Sequence, residues 1–175
     1  TIPELQKKLP KIAPDGEPLP EGLLYLMLIG EIPSQEDALN LSRDLATRAH
    51  VPQHPFDVID AMRKNSKPMT QFSAAILSMA TESTFQKAYR AGVSKKYFWD
   101  ATYEDAMNLI ARLPQIAAYI YRRQFHNGDH IEPNPRLDWA GNLAHMMGYD
   151  SEDIRRLFRL YMIIHADHEG GNVSA

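Results

Sequence analysis

Apolar residues recur three and four positions apart along almost the whole chain, and proline, glycine and capping residues fall between the apolar stretches. This spacing places the apolar side chains on one face of an α-helix, whereas a half-buried strand would alternate apolar and polar residues. No stretch shows that alternation convincingly. The pattern therefore predicts an all-α, multi-helical fold without a sheet, in which many short helices surround one or two long ones.

The breaks between apolar stretches define the predicted helices. Proline is favoured in the first turn of a helix, serine just before that turn, and glycine just after the last one. The polar, turn-rich stretch at 125–135 is predicted to be a loop. The signals predict a turn of helix near 3–9 and helices at 20–29, 34–50, 55–64, from 68 onward, 83–92, 100–124, 138–147 and from 151 onward.

The apolar positions inside these segments predict the core. Pro114 lies within the longest segment, where it removes a backbone hydrogen bond and is expected to kink the helix. In the last segment the apolar residues with helical spacing are Ile154, Leu157, Phe158, Tyr161 and Ile164. The residues predicted to face inward in the segments beginning at 34 and 68 are Leu39, Leu41, Leu45, Ala49, Phe72, Ile76, Leu77 and Met79.

Composition narrows the class of protein. The 175 residues suffice for one domain with a real core, and 44% apolar with 23% charged residues excludes a disordered chain. The net charge of −3 comes from 22 acidic and 19 basic side chains, and this mixture of signs argues against a nucleic-acid partner. The absence of cysteine excludes disulfides, thiolate metal sites and cysteine nucleophiles.

The longest apolar run, at 22–30, lies between Glu21 and Glu31 and is too short to span a bilayer. No signal peptide is visible, so no membrane partner is predicted. The sequence opens at Thr1 rather than at a methionine and stops at Ala175, just after a Gly-Gly-Asn turn. We therefore expect it to be part of a larger protein.

The densest polar cluster follows the last apolar stretch and reads His165-Ala-Asp-His168-Glu-Gly-Gly-Asn172. The two histidines are three residues apart on one helix face, with Asn172 on the same side if the turn continues. Imidazoles at a helix end can donate hydrogen bonds to an anionic ligand. A helix C-terminal cap is the alternative interpretation, because histidine and glycine are common at helix ends, and the spacing alone leaves both interpretations open.

A metal site in this cluster is the weaker alternative. Two histidines with Asp167 and Glu169 are plausible ligands for zinc or iron. However, HEXXH spacing is absent, and the two acidic residues point away from the face that the histidines share. A His-Asp metal phosphohydrolase would need a His-Asp dipeptide, which the sequence lacks. We therefore predict no metal.

A second candidate is Lys95-Lys96, which is followed by three aromatic residues at 97–99. Positive charge beside aromatic rings could meet a phosphate-bearing ligand. A solvated basic turn ahead of a helix is the more common outcome, so this signal is weak.

The run from His165 to Ala175, HADHEGGNVSA, resembles a segment of citrate synthases, and the resemblance extends in order over nearly all 175 residues. The run itself is specific, and the other matches are supportive. These are Arg159-Leu-Tyr-Met-Ile-Ile164, Pro18-Leu-Pro-Glu-Gly22, Pro68-Met-Thr-Gln71, Glu82-Ser83 with Ala88-Tyr89, and Ile110-Ala-Arg-Leu-Pro114.

The resemblance implies a mostly helical homodimer whose subunits have a large and a small domain. Residues 1–175 would form an incomplete large domain, with the small domain and the C-terminal part outside them. The implied reaction is a Claisen-type condensation: an acyl-CoA loses an α-proton, the enol attacks the ketone of oxaloacetate, and thioester hydrolysis releases CoA and a tricarboxylic acid. No metal or redox cofactor is implied.

The resemblance also implies roles for individual residues. His168 would donate a hydrogen bond to oxaloacetate, with His165 and Asn172 beside it, and Ser174 would help to orient a catalytic group. Lys95 matches a position where the family often has an arginine near CoA. The catalytic aspartate, the catalytic histidines and the arginines that hold the substrate carboxylates would lie beyond Ala175, so we expect the chain alone to be inactive.

Three points stay open at this stage. The acyl group could be acetyl, giving citrate, or a longer one, as in a 2-methylcitrate or alkylcitrate synthase; the segments at 119–123 and 126–135 differ from common mitochondrial forms. The resemblance suggests the mitochondrial matrix, with cytoplasm or peroxisome as alternatives. A non-catalytic helical interaction module is the rival of another class.

Overall fold

The structure, a computed structural model, describes residues 2–166, and within that range it is helical without a β-strand. One isolated antiparallel bridge joins Lys11 and Pro18. The all-α prediction is confirmed. The helices are α1 (Ile2–Lys8), α2 (Pro20–Ile29), α3 (Gln35–Arg48), α4 (Gln53–Ala61), α5 (Pro68–Ser78), α6 (Thr84–Arg90), α7 (Phe98–Phe125), α8 (Trp139–Met147) and α9 (Glu152–Ile164).

Caps set most of these boundaries where the sequence predicted them. Helix α2 begins at Pro20 and ends before Gly30, whose φ of +83° lies in the left-handed region that glycine adopts easily. The hydroxyl of Ser83 accepts a hydrogen bond from the Gln86 N–H and caps α6. Ser151 caps α9 in the same way. Local chemistry thus determines where these helices start and stop.

The structure differs from the predicted boundaries at two places. Helix α4 begins at Gln53, because Pro52 takes the cap position and Pro55 falls inside the first turn, where its missing N–H costs nothing. Helix α7 begins at Phe98, directly after a 3-10 turn at Lys95–Tyr97, and continues as one helix across Pro114. A second 3-10 turn, Met79–Glu82, extends α5.

The chain divides into two compact units, and the boundary falls near the end of α3. The central unit contains residues 47–130, with α4 to α7. The terminal unit contains the residues up to Ala46 and from Ile131 onward, with α1, α2, most of α3, α8 and α9.

The central unit has an apolar core. Helix α4 packs on α5, both pack on α7, and α6 packs on α7. The ring of Phe56 lies 4.5 Å from that of Tyr119 at the edge of this core. The buried residues of the core are Val51, Phe56, Ile59, Ala75, Met79, Ile116 and Ile120.

The terminal unit has a smaller apolar core, in which α2 packs on α8 and α9. Its central cluster consists of Leu9, Leu23 and Ile163, with Leu5, Leu26 and Ala166 packed against it. Charged side chains are buried in this unit as well, and they are described with the site below. No helix within residues 2–166 is long and apolar enough to cross a bilayer.

Some predicted core positions are exposed. In α5 the buried positions are Gln71 and Ala75, which are four residues apart, so Leu77 lies on another face and is 74% exposed. In α3 the prediction for Leu39 is wrong for the same reason, because Ala38 occupies the buried face. Small residues at the contact let the helices approach closely and turn the larger neighbours outward.

Candidate functional site

The C-terminal end of α9 carries the first of the residues predicted to bind substrate. Glu152 and Asp153 lie in the first turn of α9, where the helix dipole favours negative charge. The last helical residue is Ile164, and His165 occupies the C-terminal cap position. The sequence therefore placed His165 correctly at the end of a helix.

The ring of His165 is held by two contacts with Tyr161, one turn earlier. Its Nδ1 lies 2.8 Å from the Tyr161 carbonyl oxygen, and the two rings are stacked with their centroids 4.0 Å apart. A carbonyl oxygen only accepts, so Nδ1 carries the proton and donates it. In the neutral ring Nε2 is then an acceptor, and only the imidazolium form can donate from Nε2 to an anion.

The other predicted residues of this cluster, His168, Asn172 and Ser174, lie outside the described residues. Their placement beside His165 stays a prediction. Among residues 2–166, no group of three or more histidine or acidic residues could hold a metal ion.

A buried ion pair attaches α9 to α8. Arg159 donates from Nε and Nη2 to the two carboxylate oxygens of Asp138, at 3.0 and 2.9 Å, and both side chains are 3% exposed. The exposed carboxylate of Glu152 accepts a third hydrogen bond from Arg159 at 2.7 Å. Burial opposes the charge of Arg159, but these two carboxylates outweigh it and raise the pKa of the guanidinium above its ordinary value.

Asp138 has a second function at the start of α8. Its Oδ2 accepts a hydrogen bond from the Gly141 N–H at 3.3 Å, as an N-terminal cap does. A Cβ added to Gly141 would lie 2.7 Å from Asp138 Oδ1, so only glycine leaves room for the carboxylate there. One carboxylate thus fixes the beginning of α8 and the middle of α9.

Glu21, in the first turn of α2, is a third buried ionisable side chain near this pair. It is 1% exposed, and its Oε1 accepts a hydrogen bond from the Trp139 N–H at 2.8 Å. Burial and the nearby negative charge of Asp138 raise the pKa of Glu21, against hydrogen bonds from Trp139 and Ser42. Its Oε2 is buried without a hydrogen-bond partner in the described part of the chain, which favours the neutral acid.

Lys95 lies in the central unit, in the 3-10 turn before α7, and is exposed. The Nζ of its neighbour Lys96 lies 5.6 Å from the centre of the Tyr97 ring. Tyr97 and Trp99 are also exposed. This turn therefore presents positive charge and aromatic surface to solvent, as the sequence indicated.

A pocket of about 180 Å³ lies elsewhere in the central unit, between the end of α5 and α7. Its wall includes an ion pair between Arg112 Nη1 and Glu82 at 3.0 Å. The Asp105 carboxylate, also in the wall, accepts hydrogen bonds from the Ser83 hydroxyl and the Thr84 N–H. These contacts hold α6 on α7, and the described lining residues of the pocket do not include Lys95 or His165.

Residues 119–123 and the part of the following loop up to His130 contact each other within the central unit. The rings of Tyr119 and His130 are stacked 3.8 Å apart, and the Tyr119 hydroxyl donates to Asp60 at 2.7 Å. Burial and this hydrogen bond raise the pKa of Tyr119 to about 12. Arg122 donates to Asp129 at 3.1 Å. These contacts hold the first part of the loop against α7.

Comparison with known proteins identifies the family. The family model described as "Citrate synthase, C-terminal domain" matches residues 5–175 of the chain. The chain belongs to the citrate synthase family. The match covers both compact units and extends over the His165–Ala175 run.

Individual citrate synthases are similar to this chain over its whole length. "Citrate synthase 4, mitochondrial" of Arabidopsis thaliana is 52% identical over all 175 residues of this chain, which cover 37% of that protein. The mitochondrial and peroxisomal citrate synthases of Saccharomyces cerevisiae are 48% and 47% identical over the whole chain, covering 36% and 38% of their lengths. The chain thus spans little more than a third of the length of these relatives.

A solved citrate synthase has the same fold. The crystal structure of citrate synthase from Pyrobaculum aerophilum superposes with a TM-score of 0.78 at 26% identity, over 96% of this chain and 40% of that one. Its helical architecture agrees with the all-α structure described above.

Three residues with the most constrained surroundings were not identified from the sequence: Glu21, Asp138 and Arg159. In the sequence Arg159 is a basic residue between Phe158 and Leu160, and it begins one of the supportive family matches without a role of its own. Long basic side chains beside apolar residues are ordinary on amphipathic helices, so this signal is weak. The cluster was missed because its members are far apart in sequence.

Proposed function

We propose that this chain is part of the large domain of a citrate synthase, which condenses acetyl-CoA with oxaloacetate and water to give citrate and CoA. The observation that carries the proposal is the match over the full length of the chain, at 52% identity to a citrate synthase and with the family model over residues 5–175. A non-catalytic interaction module has no comparable support.

The reaction creates negative charge on the oxaloacetate ketone oxygen as the new carbon–carbon bond forms. A fixed imidazole donor beside that oxygen stabilises the transition state more than the ground state. We assign this role to His168, with His165 and Asn172 alongside and Ser174 orienting a catalytic group.

The acyl-CoA side of the site is assigned to Lys95. The exposed basic and aromatic turn at Lys95–Tyr97 fits a ligand with phosphate groups and a flat base. The CoA thioester is a substrate in this proposal, and no metal or redox cofactor takes part.

The remaining assignments concern the assembly. The active form is proposed to be a homodimer of longer subunits that supply the catalytic aspartate and histidines. Several relatives are named as mitochondrial and one as peroxisomal, which supports the mitochondrial matrix with the peroxisome as second location.

The decisive variant is His168→Ala in an intact citrate synthase subunit that contains this segment. Turnover should fall by roughly a hundredfold, the usual effect of removing one donor to a developing oxyanion. His145→Ala is the matched control. His145 lies on α8 and pairs with the exposed Asp150, so this substitution should leave turnover unchanged. Near-normal turnover of folded His168→Ala protein would remove His168 from the site.

Two further assays sharpen the assignment. CoA release from acetyl-CoA, compared with propionyl-CoA, separates a citrate synthase from a 2-methylcitrate synthase. Residues 1–175 alone should release no CoA above background, because groups that act as a unit leave little activity when most are absent. Release of CoA by the fragment would contradict the placement of the catalytic base beyond Ala175.

A further inference from the structure

Helix α9 ends at the proposed substrate residue His165, and most of its apolar side chains are only partly buried or exposed. Only Arg159 and Ile163 are buried within α9. On the opposite face Leu157 and Tyr161 are 57% and 58% exposed. Apolar contact is non-directional, so one fully buried and four partly buried apolar side chains tolerate a small rotation of the helix about its own axis.

The Arg159–Asp138 pair restricts the rotation of α9 about its own axis. Its two parallel hydrogen bonds, at 2.9 and 3.0 Å, constrain the plane of the guanidinium as well as its distance from the carboxylate. Asp138 cannot move to follow Arg159, because it also accepts from the Gly141 N–H at the start of α8. The Glu21 carboxyl holds the adjacent Trp139 N–H from α2.

We propose that Arg159 and Asp138 are positioning residues of the oxaloacetate site, which set the rotation of α9 and therefore the direction of the His165 side chain at its end. This inference rests on the proposed function. A group at the surface of a helix lies about 5–6 Å from the axis, so a rotation of about 10° displaces it by about 1 Å. A displacement of that size can lower the rate on the order of a hundredfold.

The test uses an intact citrate synthase subunit that contains this segment, with Arg159→Lys as the main variant. Lysine keeps the positive charge but lacks the planar fork that the Asp138 carboxylate matches. The KM for oxaloacetate should rise, and kcat/KM for oxaloacetate should fall by roughly ten- to a hundredfold. The KM for acetyl-CoA and the number of oxaloacetate sites, measured by isothermal titration calorimetry, should stay unchanged.

Glu152→Gln is the matched control. It removes the negative charge of the exposed side chain that Arg159 contacts at 2.7 Å and leaves the buried pair intact, so oxaloacetate binding should not change. If Arg159→Lys does not fold, Asp138→Asn replaces it. Asparagine still caps α8 but weakens the pair, so the same selective loss is expected.

The outcomes are distinct. A folded Arg159→Lys or Asp138→Asn protein that binds oxaloacetate like the wild type, whatever its melting temperature, overturns the positioning role. A loss of sites with an unchanged dissociation constant for the remaining sites also overturns it, because that is the signature of a merely structural residue. Failure of the wild-type enzyme to bind oxaloacetate would instead refute the proposed function.

Discussion

The two compact units bury different kinds of side chain. The central unit packs α4, α5 and α7 around a cluster of apolar residues such as Ile59 and Ile116, and its ion pairs are at least partly exposed. The terminal unit has a smaller apolar cluster and buries Glu21, Asp138 and Arg159. Each unit therefore meets the entropic cost of folding with a different balance of forces.

This difference affects how exactly the orientation of a helix is fixed. Apolar contacts stabilise in proportion to the area they bury and tolerate small rotations of a helix. Hydrogen-bonded charges lose most of their interaction when their geometry changes, and a buried charge without its partner is strongly unfavourable. Among the described residues, the terminal unit, which carries His165, buries both partners of such a pair, Arg159 and Asp138.

The largest effect is expected from Arg159→Met in the terminal unit. The substitution leaves the Asp138 carboxylate buried without its cation, so the free energy of unfolding should fall by about 3–5 kcal/mol. Urea denaturation measures the change, and hydrogen exchange assigns it to a unit. Arg155→Met on the same helix is the control, with a loss of about 1 kcal/mol or less, because its partner Asp150 is exposed. Equal losses for both variants would refute the contrast.

A slightly smaller effect is expected in the core of the central unit. Ile116 is fully buried, so Ile116→Ala should lower the free energy of unfolding by about 3 kcal/mol through lost contacts and a residual cavity. Ile116→Val removes one methylene and should cost about 1 kcal/mol. Hydrogen exchange should accelerate most within residues 47–130. A graded response to volume would distinguish this core from the ion-pair cluster, and a flat response would remove the distinction.

The next effect is a change in pH dependence. The pKa of Glu21 is raised in the folded state above its ordinary 4.5, by burial and by the negative charge of Asp138. The contribution of protonated Glu21 to stability is therefore complete below about pH 4.5 and is lost as the pH rises through the folded-state pKa. Glu21→Gln has no such proton to lose, so its stability relative to wild type should increase as the pH rises above 4.5.

Thermal unfolding between pH 4 and pH 8 compares the two proteins. Glu17→Gln serves as a control, because Glu17 lies in the same unit and its carboxylate bonds only to the partly buried Gln6 among the contacts described. A constant difference between Glu21→Gln and wild type across this range would show that Glu21 does not change its protonation there.

The smallest effect concerns the surface of the central unit. Arg48 donates to Glu104 at 2.6 Å, and Glu104 is partly exposed. Glu104→Gln should change the free energy of unfolding by about 0.2–1 kcal/mol, and added salt should reduce the difference. Melting temperatures at low and high ionic strength provide the measurement. A loss comparable to that of Arg159→Met would show that burial is not what separates the two pairs.

The sequence predicted helix ends more reliably than helix faces. Ser83, Ser151 and Gly148 each act within a few residues of their own position, so their caps are visible locally. Leu77 was predicted to be buried because it is large and apolar. Which face of α5 is buried depends on the helices that pack against it, and the spacing in one segment does not contain that information.

The candidate site shows the same division. The position of His165 at a helix end and the exposed basic turn at Lys95 followed from nearby residues. The cluster around Arg159 did not, because Asp138 is 21 residues away from it and Glu21 is 118 away from Trp139. Only tertiary packing brings such groups together, and only burial makes the loss of one partner strongly destabilising.

The sequence by itself therefore determined what depends on neighbouring residues: the helical class, most helix boundaries, and the run from His165 onward that identifies the family. The tertiary structure alone decided which apolar residues are buried and which charges share the interior of the terminal unit. The physical reason is the distance along the chain over which each interaction acts. Caps and helical periodicity act over one or two turns, whereas desolvation and ion pairing depend on every segment that excludes water from the same place.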